Sequence, residues 1–215
     1  ERKGLTGKLF EAINAHLAEQ GLMLREGTVV DATLIAASPS TKNRARKRDP
    51  EMHQARKGKQ WYFGMKAHVG VDASSGAVHS LVTTPANTVD VTQAHRLLHG
   101  EETDVFGDAG YQGVEKREEN KKTDVNWHTA LRPGKRKVLP ATPAGRLRER
   151  REQAKASIRA IVEHPFHTVK NLLGHRKARY RGLAKNEAQL FTLFGLANLL
   201  RLKRELMARP GVSAS

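Results

Sequence analysis

Three acidic residues interrupt apolar runs in an otherwise strongly basic chain. They are Asp31 in Val29-Val30-Asp31-Ala32-Thr33-Leu34-Ile35, Asp108 in Val105-Phe106-Gly107-Asp108-Ala109-Gly110-Tyr111, and Glu163 directly after Ile161-Val162. A carboxylate beside a buried strand or helix costs desolvation free energy unless it meets a proton, a hydrogen-bond donor or a cation. Three such positions point to a shared partner, and a divalent metal ion is the obvious one. All-oxygen ligands suit Mg2+ or Mn2+. Two such ions roughly 3.5–4 Å apart would polarise a scissile phosphate and activate an attacking water or hydroxyl.

The three acids differ in how much they say alone. Asp31 is the most telling, because mid-strand Asp is disfavoured and polar alternation does not explain Val-Val-Asp-Ala-Thr. Asp108 lies on a glycine-flanked turn at a strand end, where it serves equally well as a turn former or as a ligand. Glu163 shares a helical face with Arg159 and Lys170, because spacings of four and seven are near whole turns. The apolar stripe of Ile158, Val162, Val169 and Leu172 points elsewhere, so this face borders the core and is open to a substrate. Taken by itself the triplet reads as a solvated Arg–Glu pair at i, i+4.

The elements that must position these residues follow from pattern. Leu9, Phe10, Ile13 and Leu17 form one helical stripe that closes at Gly21. Thr28 to Ala36 is β-branched and apolar without a helical period, which predicts a buried strand carrying Asp31. Ser38 to Gln60 has almost no apolar residues and reads as a mobile basic loop. Trp61 to Asp72 and Ala77 to Thr84 flank Ala73-Ser74-Ser75-Gly76 as a β-hairpin. Asp90 is placed to cap a helix over Val91 to Leu98, with a short strand over Thr103 to Phe106, a charged helix over Glu115 to Lys122 and another strand over Val125 to Leu131. Thr142-Pro143 opens a helix running to about Leu173 that Pro165 must kink, and Asn186 to Met207 forms a last helix. Strands ahead of the major helices predict a mixed α/β domain.

The balance of 38 Lys and Arg against 22 Asp and Glu gives the 215-residue chain a net charge of +16 and a pI near 10.4. Such an imbalance suits a protein that meets phosphate backbones, so nucleic acid is the first partner to consider. A membrane partner is disfavoured, since no apolar run reaches about 18 residues. There is no cysteine, which excludes disulfides and thiolate zinc sites and fits a reducing, cytoplasmic setting.

Val30-Asp31-Ala32-Thr33, Lys66-Ala67-His68-Val69-Gly70-Val71-Asp72, Thr84-Pro85-Ala86-Asn87, Gly107-Asp108-Ala109-Gly110-Tyr111 and Arg159-x3-Glu163-x6-Lys170 together resemble the DDE transposases of bacterial insertion sequences, specifically the family named for insertion sequence five. The resemblance spans about residues 20 to 205. It implies an RNase H-like fold, a mixed β-sheet flanked by α-helices, in which Asp31, Asp108 and Glu163 are the catalytic, metal-binding triad. It also implies that Arg159 and Lys170 contact DNA or position its ends. That family often has a tyrosine three positions before the arginine, and this chain has Ala156 there. Such transposases usually carry a helical segment ahead of the first catalytic strand. The expectation is therefore an N-terminally truncated chain: a helical remnant over 1–27, the catalytic domain over 28–207 and a disordered tail over 208–215.

Further DNA contacts are expected from the basic runs. Arg46, Lys47 and Arg48 lie in the loop before Trp61, which offers a stacking surface, and Arg136 lies in a second basic patch. Lys66 and His68 share a strand face near where Asp31 should pair, so either is a candidate to touch the site. His95 and His99 have i, i+4 metal spacing but no third ligand in view, and read as surface or capping histidines. The function expected is metal-dependent DNA cleavage and 3′-hydroxyl strand transfer on double-stranded DNA. The protein would act as a homo-oligomer at the nucleoid. The alternatives are an RNase H-like nuclease without strand transfer, and an inactive DNA-binding remnant.

Overall fold

A computed structural model of the chain describes residues 4–24, 26–121 and 123–208. The first three residues and nearly all of the expected tail lie outside the described residues. Helix α1 (Leu5–Glu19) is followed by β1 (Gly27–Ala36), β2 (His53–Lys57), β3 (Gln60–Asp72), β4 (Val78–Pro85), β5 (Asp104–Gly107) and β6 (Asn126–Thr129). Helices α2 (Pro133–Lys137), α3 (Pro143–Arg159), α4 (Glu163–His167), α5 (Leu183–Arg201) and α6 (Lys203–Met207) complete the chain.

The six strands form one mixed sheet, ordered β2-β3-β1-β5-β6, with β4 also paired to β3. β1 runs antiparallel to β3 and parallel to β5, and β5 runs parallel to β6. Alternation along β1 divides its side chains between two faces. Val29 and Ile35 join Met65, Ala67 and Val69 in a core closed by Phe10 of α1, Val162, Phe166 of α4, Val169, and Leu190 and Phe194 of α5. Val30 faces the other way, into a smaller cluster with Val82, Ala94, Leu97, Val105 and Tyr111. The result is an α/β domain with helices against its sheet.

Several local expectations change in the folded chain. The loop over 38–60 contains β2, whose residues His53, Gln54, Arg56 and Lys57 are exposed and carry no apolar alternation. Pairing with β3 makes it a strand, and a single sequence shows no sign of that. Asp90 does not cap the next helix. That element is a 3-10 helix over Asp90–Leu97 whose N-cap is Val89, and the Asp90 carboxylate instead takes Lys66 Nζ at 2.8 Å. The charged segment after Gly113 forms two single 3-10 turns rather than a helix. Thr142 does cap α3, its hydroxyl accepting Gly145 N–H at 3.2 Å with Pro143 at the first helical position. The predicted kink appears as a 3-10 turn over Ala160–Val162 ahead of Pro165, followed by a π-helical turn over Thr168–Leu172. A proline lacks the N–H for the preceding turn and crowds its carbonyl, so the helix tightens there.

Candidate active site

Asp31 and Asp108 reach the same place by sheet register. Val30 is the parallel partner of Gly107, so the next residue on each strand is one of the two acids. Val29 and Phe106, two residues earlier, both border the large core, which puts both carboxylates on the face covered by the C-terminal helices.

Burial raises the Asp31 carboxyl to about 6, and the neighbouring Asp108 pushes it further in the same direction; a hydrogen bond from Ala32 N–H at 2.7 Å and the Arg159 guanidinium oppose that shift. Asp108 is the N-cap of a 3-10 turn over Ala109–Tyr111 and accepts Gly110 N–H at 2.7 Å. Both glycines of this turn are required by close approach. A Cβ at Gly107 would lie 3.0 Å from Cβ of Tyr111, and one at Gly110 would lie 2.8 Å from Oδ1 of Asp108. Tyr111 itself is buried, its hydroxyl has no hydrogen-bond partner, and its phenol is held well above its ordinary pKa by burial and then by the charge of Asp31.

Arg159 and Lys170 both act on β1, from a segment whose expected single α-helix is interrupted by a 3-10 turn and a π-helical turn. Arg159 ends α3, is partly buried, acts electrostatically on Asp31, and has an Nε without a hydrogen-bond partner. Lys170 sits in the π-helical turn and its Nζ donates to Thr33 Oγ1 at 2.5 Å, two residues beyond Asp31 on the same strand face. Burial lowers the pKa of Lys170, while Glu163 acts to raise it. Glu163 begins α4, is exposed, and lies between these two anchors.

Lys66 and His68 are held elsewhere. His68 pairs with Ala32, whereas Asp31 pairs with Val69, so both basic residues lie on the opposite sheet face. There Lys66 donates to Thr88 O at 2.7 Å and to Asp90, and His68 Nε2 lies 2.8 Å from Thr84 Oγ1. Burial lowers the His68 pKa to about 4. Arg46 and Lys47 are exposed, and Arg46 has a left-handed backbone, φ 47°. Arg48 covers the ring of Phe63 at 5.5 Å, Trp61 is 62% exposed, and Arg136 forms a bidentate pair with Glu149 of α3, its shortest distance 2.6 Å.

Among the described residues, His79, His99 and Glu102 form a group whose ligand atoms all lie within 4.8 Å of one another. The three carboxylates of the candidate site do not come that close. His99, read with His95 as a surface or capping histidine, has a mostly buried side chain whose Nδ1 accepts Glu101 N–H, past the end of the 3-10 helix. Glu102 accepts His99 N–H and Gly100 N–H, each at 2.7 Å, and Thr28 Oγ1 at 3.3 Å, so the group staples the loop before β5 to the start of β1. His79 comes from β4 and His99 and Glu102 from the loop before β5, so two of the three ligands lie three residues apart but the third leaves no sequence pattern with them.

A family model described as a transposase DDE domain matches residues 23–199. The chain belongs to the transposase DDE domain family. The family points to a DNA-acting enzyme and to transposition as its function, and DDE domains generally use divalent metals. Two of the candidate site's three carboxylates suit such an ion. Asp31 is a partly buried carboxylate beside a second carboxylate, an arrangement costly for two anions and relieved by a shared cation. Among the described residues, no helix of this DDE domain is long and apolar enough to cross a membrane.

Proposed function

We propose that this domain is the catalytic core of an insertion-sequence transposase with an RNase H-like fold, cutting DNA at the element ends and joining the exposed 3′-hydroxyl to target DNA. The observation that carries the reading is the sheet register that makes Asp31 and Asp108 neighbours on the face along which Arg159, Glu163 and Lys170 run.

In this reading Asp31, Asp108 and Glu163 hold Mg2+ or Mn2+, two ions in all. Bound there, the ions supply polarisation of the scissile phosphate and activation of the attacking oxygen. Arg159 and Lys170 flank the carboxylates with fixed positive charge, which suits a phosphodiester lying across the site. In the first step a water oxygen bonds to phosphorus as the element's 3′-oxygen leaves and takes up a proton. In the second that 3′-oxygen loses its proton and bonds to a target phosphorus as the target's own 3′-oxygen leaves. Pairing two element ends calls for a homo-oligomer assembled on double-stranded DNA, at the nucleoid in the cytoplasm.

The test is Asp108→Asn, which keeps the turn's hydrogen bond acceptor and removes the charge. Cleavage and strand transfer should both fall below detection, with DNA binding unchanged. Cleavage retained by this variant overturns the assignment. Supplying a pre-cut DNA end separates a transposase, which yields joined products, from a nuclease, which does not.

A further inference from the structure

The last strand residues of β1 lead away from Asp31 to a cavity of about 370 Å3 between the 38–49 segment and the 178–181 segment. Ser38, Ser40, Lys42, Asn43, Arg179 and Arg181 line it, so three cations and several neutral donors face one hollow. Asp49 also lines it, but its Oδ2 accepts Gly182 N–H at 2.7 Å.

Both walls are fixed in place. On one side Glu51 Oε2 accepts Leu183 N–H at 2.7 Å, Arg48 Nε donates to Pro39 O at 3.1 Å, and Asn43 Nδ2 donates to Lys47 O at 2.8 Å. On the other, the buried Asn186 accepts Arg179 N–H and Tyr180 N–H at 3.2 Å each and donates to Tyr180 O at 2.8 Å and Gly182 O at 2.7 Å. Ala178 N–H bonds to Ala36 O at 2.7 Å, tying this wall to the end of β1. The segment expected to be a mobile loop is therefore folded onto the N-terminal end of α5, and its cations are carried on a defined frame. A fixed backbone frame brings Lys42, Arg179 and Arg181 to one hollow, so the charges that would meet a phosphate are already gathered before it binds.

We propose that this cavity is a DNA-phosphate subsite that holds the duplex backbone away from the scissile phosphate. The proposal rests on the DNA-acting reading of the candidate site for its choice of ligand. Asp31 and Ala37 are six residues apart along an extended chain, about 20 Å at 3.3 Å per residue. With both strands counted a duplex carries a phosphate roughly every 1.7 Å of helix axis, so a point about 20 Å from the cut meets backbone phosphates other than the scissile one. Lys170 lies between the two points, its Nζ on Thr33, and adds a positive charge part of the way along.

The experiment uses the full chain carrying Asp108→Asn, which stops cleavage, and follows binding of a fluorescent duplex by anisotropy across a salt series. Adding Lys42→Gln, Arg179→Gln and Arg181→Gln should flatten the slope of log K against log salt by about 0.9 for each phosphate that is no longer neutralised. A control replacing the exposed Lys8, Lys203 and Arg204 by Gln removes the same charge elsewhere. The proposal predicts a clearly smaller change in that control. An equal change in the two variants, or none in the first, overturns it.

A scan of single methylphosphonate substitutions, made with the wild-type surface, provides a readout that no folding defect can mimic. Loss of affinity should centre on backbone phosphates separate from the scissile one and vanish in the triple variant; loss confined to the scissile position overturns the subsite. Titration with inorganic phosphate distinguishes a free-anion site, and heat from phosphate with an unchanged DNA slope counts against DNA. Cleavage by the chain with Asp108 intact is measured separately. An inactive chain whose salt slope still depends on the three cations would refute the transposase reading and leave the subsite standing.

Discussion

Asp108 illustrates how a residue's chemistry depends on an atom its neighbour lacks. The carboxylate is held by Gly110 N–H, and the space where a Gly110 side chain would begin is 2.8 Å from Oδ1. Gly110→Ala should therefore displace the carboxylate rather than the fold, since the obstructing atom is the end of a side chain. The expected outcome is a fall in cleavage of about tenfold or more, comparable to about 1.4 kcal/mol of lost transition-state stabilisation, with the thermal midpoint nearly unchanged. Equal activity in the two proteins would show that Asp108 need not hold this position. Asp31 and Asp108 were legible as oddities because each acid breaks an apolar run. Tyr111 was not legible as a buried neighbour of both, because nothing in Gly-Asp-Ala-Gly-Tyr says that the ring folds back against Gly107.

Among the elements, the docking of α1 and α5 against β4 depends on a buried polar junction. Asn198 of α5 accepts Val78 N–H at 2.8 Å and donates to Val78 O at 2.7 Å and to Asn14 Oδ1 at 2.8 Å, while Asn14 Nδ2 reaches the same carbonyl at 3.1 Å. Truncating Asn198 to Ala leaves buried backbone and amide groups without these bonds, which costs on the order of 2–4 kcal/mol. Urea unfolding should show this as a lower midpoint at constant slope. A loss under about 0.5 kcal/mol would mean that water replaces the side chain. The start of α3 was readable from Thr142-Pro143 and the break near Glu163 from Pro165, and β1, β3, β4, β5 and β6 from their apolar runs. β2 was not, since His53–Lys57 is a strand only by virtue of its partner. The spacing of His95 and His99 misled for a related reason, because it assumes a helix that ends at Leu97.

Over the whole molecule, global stability reports on the cost of the candidate site. Asp31 ionises at about 6 when folded against an ordinary value of 3.8, so between these values the folded state holds the proton and the unfolded state does not. Stability contributed by this group therefore falls as pH rises through that window and stays lower above it. His68, lowered to about 4, acts in the opposite sense, adding stability as pH rises toward 6.5. The wild-type curve mixes the two, and the difference between wild type and Asp31→Asn isolates the acid. The Asn variant should be more stable at pH 7 by on the order of 1–3 kcal/mol, with the difference closing below about pH 4. Mg2+ should raise the unfolding midpoint of the wild type and leave the variant unmoved. A variant no more stable than wild type at pH 7 would mean that the carboxylate is well solvated.

Residue types and local order in the sequence determined that this chain is a basic α/β domain, that Asp31 sits on a buried strand, and that Thr142 caps a helix. These are short-range matters, governed by alternation, helical period and capping, and a single sequence carries them. Tertiary structure alone decided that parallel pairing of β1 with β5 sets Asp31 beside Asp108, that Lys66 and His68 turn to the opposite face, and that the basic segment after β1 folds onto α5. Register and docking join residues far apart in the chain, and a one-residue slip reverses every face while leaving the local pattern intact.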